Sequence, residues 1–145
     1  MEIYSIGFTQ KSAGEFFGTL KAHGIERLLD VRLNNTSQLA GFAKQADLAY
    51  FLREICNCDY EHEPLLAPEQ QMLDDYKKHK GSWDIYAETF LRLMRSRSIE
   101  TAVSKESFAH RTVLLCSEPT AEHCHRRLVL EYLLQAWRGV TIRHL

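Results

Sequence analysis

The groups best suited to chemistry gather in one short stretch: Cys116, Glu118, His123, Cys124, His125 and Arg126. A thiol near a helix start, beside arginine and protonated histidine, is held toward its reactive thiolate form, and Cys124 has that setting. His125 is a candidate for proton transfer and Glu118 a candidate general base. Arg126, with Arg32 further up the chain, offers the planar fork that grips phosphate or carboxylate. Asp30 stands two residues before Arg32, as a substrate-binding group or as its ion-pair partner. The expected site is thus catalytic Glu118, Cys124 and His125, with Asp30, Arg32 and Arg126 binding the substrate.

Each of these residues also has a structural reading. Cys116 closes an apolar run and reads as a small core residue, and Cys124 could equally serve helix packing. His125 reads equally as a satisfied structural histidine. Asp30, Arg32, Glu118 and Arg126 together could form an ion-pair network with no function. Cys116, His123, Cys124 and His125 are zinc-ligand types. Successive helical positions point about 100° apart, however, so 123, 124 and 125 cannot all reach one ion, and no metal is expected. Cys56-Asn57-Cys58 is too tight for a zinc knuckle. Cys116 and Arg126 do not have the spacing of a cysteine phosphatase loop. The chain contains no Gly-x4-Gly-Lys-Ser/Thr, Gly-x-Gly-x2-Gly, Gly-x-Ser-x-Gly or His-Glu-x2-His. No cofactor is therefore expected.

The elements that must position these groups alternate along the chain. Glu2 to Phe8 reads as a strand, and Ser12-Ala13-Gly14-Glu15 has capping-box spacing ahead of Phe16, Phe17 and Leu20. His23-Gly24 stops that helix, and Ile25 to Leu33 reads as a second strand with an apolar middle. Asn34 to Gln38 is a polar loop. Asp47 is expected to cap a helix carrying Leu48, Phe51, Leu52 and Ile55 on one face. Tyr60 to Leu66 suits an edge strand, Pro68-Glu69 a helix start, and Ser82 the cap of a longer helix carrying Tyr86, Phe90 and Met94. A short helix near Ile99 to Ser104 leads to the apolar strand Thr112 to Cys116. His123 to Trp137 reads as a helix stopped at Gly139, and Val140 to Ile142 as a last strand. This alternation predicts a three-layer α/β/α sandwich with a mainly parallel sheet, as a single α/β domain over residues 1–145. Three strand ends, at Gly7, Arg32 and Cys116, would then border one cleft.

With 145 residues, 45% of them apolar and 26% charged, the composition is globular. No apolar run is long enough to cross a bilayer and no secretory signal is visible, so a cytoplasmic setting with thiols rather than disulfides is expected. The net charge of −1 removes a strong prior for nucleic acid. The charge is unevenly spread: residues 1–91 carry 9 Lys/Arg against 14 Asp/Glu, and residues 92–145 carry 9 against 5.

Ser5-Ile6-Gly7, Asp30-Val31-Arg32, Tyr60-Glu61-His62 and Leu114-Leu115-Cys116-Ser117-Glu118 with Cys124-His125-Arg126 resemble the domain-of-unknown-function 488 family, over nearly the whole chain. The resemblance implies a small α/β protein of bacterial or archaeal type, and no established reaction. Asn34 or Asn35 stands where a proline often follows Asp-Val-Arg, and Leu65-Leu66-Ala67-Pro68 replaces a glycine-containing turn. The function expected is an enzyme binding a small anionic or nucleotide-like substrate in an Arg/Glu/Cys-lined cleft at the strand ends. The alternative is a non-catalytic module that binds nucleic acid or a protein through its Arg-rich C-terminal third. No membrane partner is expected.

Overall fold

A computed structural model describes residues 1–36 and 41–145. Its sheet has five parallel strands in the order β3-β2-β4-β1-β5: β1 (Glu2–Gly7), β2 (Arg27–Asp30), β3 (Asp59–His62), β4 (Thr112–Cys116) and β5 (Thr141–His144). The chain runs β1 to β2 to β3 in one direction across the sheet, then returns to β4 and on to β5. Right-handed crossovers put the helices of these two journeys on opposite faces. Helix α1 (Ala13–Ala22) and α2 (Gln45–Phe51) lie on the outward path, and α3 (Gln70–Lys77), α4 (Trp83–Ser96), α5 (Ile99–Ala102) and α6 (His125–Ala136) on the return. Two separate cores result. Ile6, Phe16, Leu28, Leu48 and Leu115 fill one, and Ile3, Leu29, Phe90, Leu114 and Val129 fill the other. The expected three-layer sandwich is the observed one.

The period-2 alternation of β4 decides what faces the return-path helices. Val113 and Leu115 join the first core, so Leu114 and Cys116 belong to the second, beneath α6. Ser5 falls between Tyr4 and Ile6, which both face the first core, and is therefore also turned toward α6.

Local signals act as expected at several ends. Ser12 caps α1 by accepting from the Glu15 amide, and Ser82 caps α4 by accepting from Ile85. Gly24, with φ of +63°, takes the left-handed turn that ends α1. Other boundaries differ. Helix α2 begins two residues before Asp47, after Lys44, so Asp47 is an exposed first-turn residue and not the cap. A π-helical turn at Leu52–Cys56 then widens the spiral and carries Ile55 off the buried stripe, leaving it 44% exposed. Pro68 precedes the N-cap Glu69 of α3 rather than starting the helix. The edge strand β3 stops at His62, followed by a 3₁₀ turn over Pro64–Leu66. Strand β2 is shorter than expected, ending at Asp30, and the Arg32 amide donates to the Asp30 carboxylate. Of the polar segment after it, Asn34 to Thr36 lie outside helix and strand, whereas Ser37 and Gln38 fall outside the described residues. Asn35 is buried and donates to the Tyr60 hydroxyl.

Candidate functional site

The loops after β2 and β4 leave the sheet toward opposite faces, and a ligand crevice is expected where neighbouring strands diverge in this way. A cavity of about 210 Å³ lies there. Arg32 and Leu33 line it from β2, Cys116 to Glu118 from β4, and His123 to His125 from the start of α6. Leu73, Tyr76 and Lys77 of α3 and Tyr86 of α4 form the opposite wall.

Cys116, Cys124 and His125 meet at this cavity. One thiol or ring nitrogen from each lies within 4.8 Å of the others. The helix does not begin at His123 as expected: Cys124 is the N-cap, with extended φ −136° and ψ 139°. Two helical residues at 124 and 125 would point apart, whereas an extended cap lets both side chains reach one point. The Cys124 side chain makes no capping bond to the helix amides and is turned toward Cys116 instead. The His125 ring is oriented from the other side. Its Nε2 lies 2.7 Å from the Val31 carbonyl oxygen, which only accepts, so Nε2 carries the proton. The Cys116 sulfur lies beside both ring nitrogens, 3.5 Å from Nδ1 and 3.8 Å from Nε2.

Electrostatics invert the expectation for the two thiols. Burial pushes the Cys124 thiol far above its ordinary range, and donation to Cys116 raises it further. Cys116 is held below its ordinary value by the hydrogen bond from Cys124, which with the Ser117 and Glu118 amides and the Arg126 charge outweighs burial. Cys116 lies in the core as expected and is also the more acidic thiol. Its position at a strand end beside a divergent neighbour was the available signal. His125 is held neutral chiefly by burial.

The two arginines are placed differently from expectation. Arg32 forks onto the Asp30 carboxylate through Nε at 2.9 Å and Nη2 at 2.8 Å, with both groups almost fully buried. Asp30 also accepts from the Tyr60 hydroxyl at 2.6 Å and from the Arg32 amide. The Asp30-Val31-Arg32 turn thereby becomes a rigid plank that presents the Val31 carbonyl to His125. Arg32 still lines the cavity, and its buried Nη1 has no partner among the described residues. Arg126 does not line it. Fully buried, it donates to the backbone oxygen of Glu118 at 2.8 Å and to Ser5 Oγ at 3.2 Å, and no carboxylate among the described residues pairs with it. The Glu118 carboxylate turns outward to Lys77 Nζ at 2.6 Å. Lys77, which sequence reasoning missed, comes from the last turn of α3. Burial alone would lower its ammonium pKa, but the hydrogen bond and charge of Glu118 outweigh it and raise the value.

Ser5 accepts from Arg126, so its own hydroxyl hydrogen goes to Nδ1 of His144 on β5. Burial and the charges of Arg126 and Arg127 depress the His144 pKa below 6.5, against an opposing pull from Glu131. The folded chain thus resists a proton that the unfolded chain accepts, and stability is lost as pH falls through 6.5 toward the lower folded value. Thermal melts between about pH 7.5 and 5.5 should show falling Tm, to which buried His125 contributes as well, and His144→Gln should flatten the slope in part. An unchanged slope in the variant would remove His144 as the cause.

A family model described as domain of unknown function DUF488 matches residues 12–133. The chain belongs to that family. The matched span contains Asp30, Arg32, Lys77, Cys116, Glu118, Cys124, His125 and Arg126, while Ser5, Gly7 and His144 lie outside it. No curated protein and no solved structure matches the chain. No helix among the described residues is long and apolar enough to cross a membrane.

Proposed function

We propose that this DUF488 protein is an enzyme acting on a small anionic, nucleotide-like molecule in the cavity between the loops after β2 and β4. The observation that carries this reading is the make-up of the cavity wall. Tyr76 and Tyr86 lie 4.9 Å apart with their rings tilted by 32°, and both border the space beside His123. They offer a flat aromatic face to a planar ring. Lys77 stands at the mouth and the Arg32 guanidinium borders the space with its Nη1 buried in the wall, which sets two cations beside one anionic group. The Lys77–Glu118 pair is half exposed on both sides, so it holds the ammonium only weakly and leaves it free to meet a ligand. Cys116, Cys124 and His125 form the reactive end. At ~30 Å³ per water the cavity holds about seven, room for one ring with its phosphoryl group at the mouth beside Lys77, and not for a dinucleotide.

The alternative of a basic binding surface is less well supported. Arg126 is buried, Arg97 is spent on the carbonyls of Leu65 and Ala67, and Arg127 is engaged by Glu131 and the Glu122 carbonyl. Three of the eight arginines of the C-terminal third are therefore not free to contribute to a basic face.

Titration calorimetry with purine and pyrimidine nucleoside 5′-monophosphates, inorganic phosphate and the uncharged nucleosides tests the reading. A monophosphate should bind and its nucleoside should bind more weakly. Lys77→Ala should weaken monophosphate binding by about tenfold or more, the worth of one charge-assisted hydrogen bond, with Tm almost unchanged because Lys77 is exposed. Equal binding of charged and uncharged forms, or no effect of Lys77→Ala, would count against it.

A further inference from the structure

We propose that Cys116, Cys124 and His125 bind one zinc ion whose fourth coordination position opens into the cavity. The donor set is that of a three-ligand zinc centre: two thiols and an imidazole, brought together from the end of β4 and the start of α6. Zn–S bonds of ~2.3 Å and a Zn–N bond of ~2.0–2.1 Å in tetrahedral geometry set sulfur and nitrogen about 3.5 Å apart. Cys116 Sγ and His125 Nδ1 are separated by 3.5 Å, with Nε2 at 3.8 Å from the same sulfur, so the imidazole turns on binding to bring its Nδ1 lone pair onto the ion.

The surroundings of the three donors fit the same assignment. A metal-bound histidine commonly donates its other ring N–H to a carbonyl or carboxylate, which fixes the tautomer and aims the lone pair. The Val31 carbonyl fixes the tautomer of His125 in this way and leaves Nδ1 as the free donor, and the Asp30–Arg32 fork holds that carbonyl in place. The Ser117 and Glu118 amides donate to the Cys116 sulfur and would spread thiolate charge. A cysteine–histidine dyad needs one sulfur only. Cys124 is the observation such a dyad leaves unexplained, since it holds the N-cap position, makes no cap bond, and directs its sulfur to the same point.

Charge specifies the fourth ligand. Two thiolates neutralise the dication, and buried Arg126, which acts on all three donors and has no carboxylate partner among the described residues, leaves one positive charge. Hydroxide or an anionic group of a substrate at the open position brings the centre to zero. A soft thiolate pair with one imidazole selects zinc over magnesium or calcium. The role of the open position rests on the cavity being a substrate site, whereas zinc binding itself does not.

The test is metal content and spectroscopy on the full chain. Purified protein incubated with equimolar zinc and then dialysed should retain one ion per chain by elemental analysis. Cobalt(II) in its place should show sulfur-to-cobalt charge-transfer absorption and the strong visible bands of a tetrahedral site. Cys124→Ser and Cys116→Ser should each lose stoichiometric zinc, with circular dichroism confirming that the variants are folded. The proposal is overturned if wild-type protein takes up no zinc and both thiols alkylate equally fast with and without it. It is also overturned if a Cys116–Cys124 disulfide forms in air without metal uptake, which would make the pair a redox couple. Bound cobalt lacking sulfur absorption sinks it too. Zinc binding can fail while Lys77-dependent binding of a monophosphate survives, so the outcomes for metal and substrate are separable.

Discussion

Asp30→Ala is expected to destabilise the fold by about 3–5 kcal/mol, the usual consequence of removing one partner of a buried ion pair. Asp30 is fully buried, and Arg32 is 2% exposed. The loss does not measure the attraction between them. It arises because Arg32 would keep its charge in a place where water cannot replace the carboxylate. The Tyr60 hydroxyl and the Arg32 amide would lose their acceptor as well. Urea unfolding should show a lower midpoint with an unchanged slope. Tyr60→Phe, which deletes one hydrogen bond and leaves the ion pair intact, should cost only about 1 kcal/mol. The double variant Asp30→Leu, Arg32→Met should recover much of the loss, since an apolar pair of similar volume avoids the desolvation altogether. If Asp30→Ala costs less than about 1 kcal/mol, the site is wet and the plank under His125 is not held by this pair. The same substitution should also weaken zinc retention, because the Val31 carbonyl lies between the two charged residues.

Strand β4 was legible in full, since five successive buried residues, Thr112 to Cys116, leave no other reading. The Ser12 and Ser82 caps were legible because their hydrogen bonds are local. The grouping was legible only in part. Asp30, Arg32, Cys124 and His125 do come together, but their roles depend on directions that spacing does not encode. One extended residue at Cys124 changes the helix start and brings its sulfur to Cys116. Lys77 reaches Glu118 across 41 residues of sequence, a contact set by how α3 lies over the sheet, and nothing near Lys77 marks it. Arg126 was expected in the cleft and faces Ser5 instead, because the first turn of α6 puts positions 125 and 126 on different sides. The π-helical turn after α2 is likewise invisible in a pattern of apolar residues that fits an ordinary helix.

Gly7→Ala is expected to cost about 3 kcal/mol or more, at the upper end of overpacking substitutions, and to disable the site at the same time. Gly7 ends β1 directly beside Cys116 of β4. A β-carbon there would land on the Glu118 carbonyl oxygen and stand 3.1 Å from Arg126 Nη1. Neither neighbour is free to move. The Glu118 carbonyl is the acceptor of that same Nη1, and the chain just before it is held by the Thr9 amide donating to the Ser117 carbonyl at 3.2 Å. Retreat of the Ser117-Glu118 backbone would leave Arg126 with a further unsatisfied donor and withdraw the amides from the Cys116 sulfur. The substitution therefore tests whether close approach of two strand ends is what shapes the cavity floor. Gly18→Ala is the control. Gly18 lies inside α1 with nothing within 4 Å of a β-carbon, so alanine there should stabilise by about 0.5–1 kcal/mol through helix propensity alone. Denaturant unfolding of both variants, with zinc retention measured on each, separates the cases. Loss of stability and of zinc at Gly7, with neither lost at Gly18, is the expected result. A Gly7→Ala protein as stable as wild type would show that the loop after β4 can give way, and that its backbone is not what holds Cys116 and Arg126 in register.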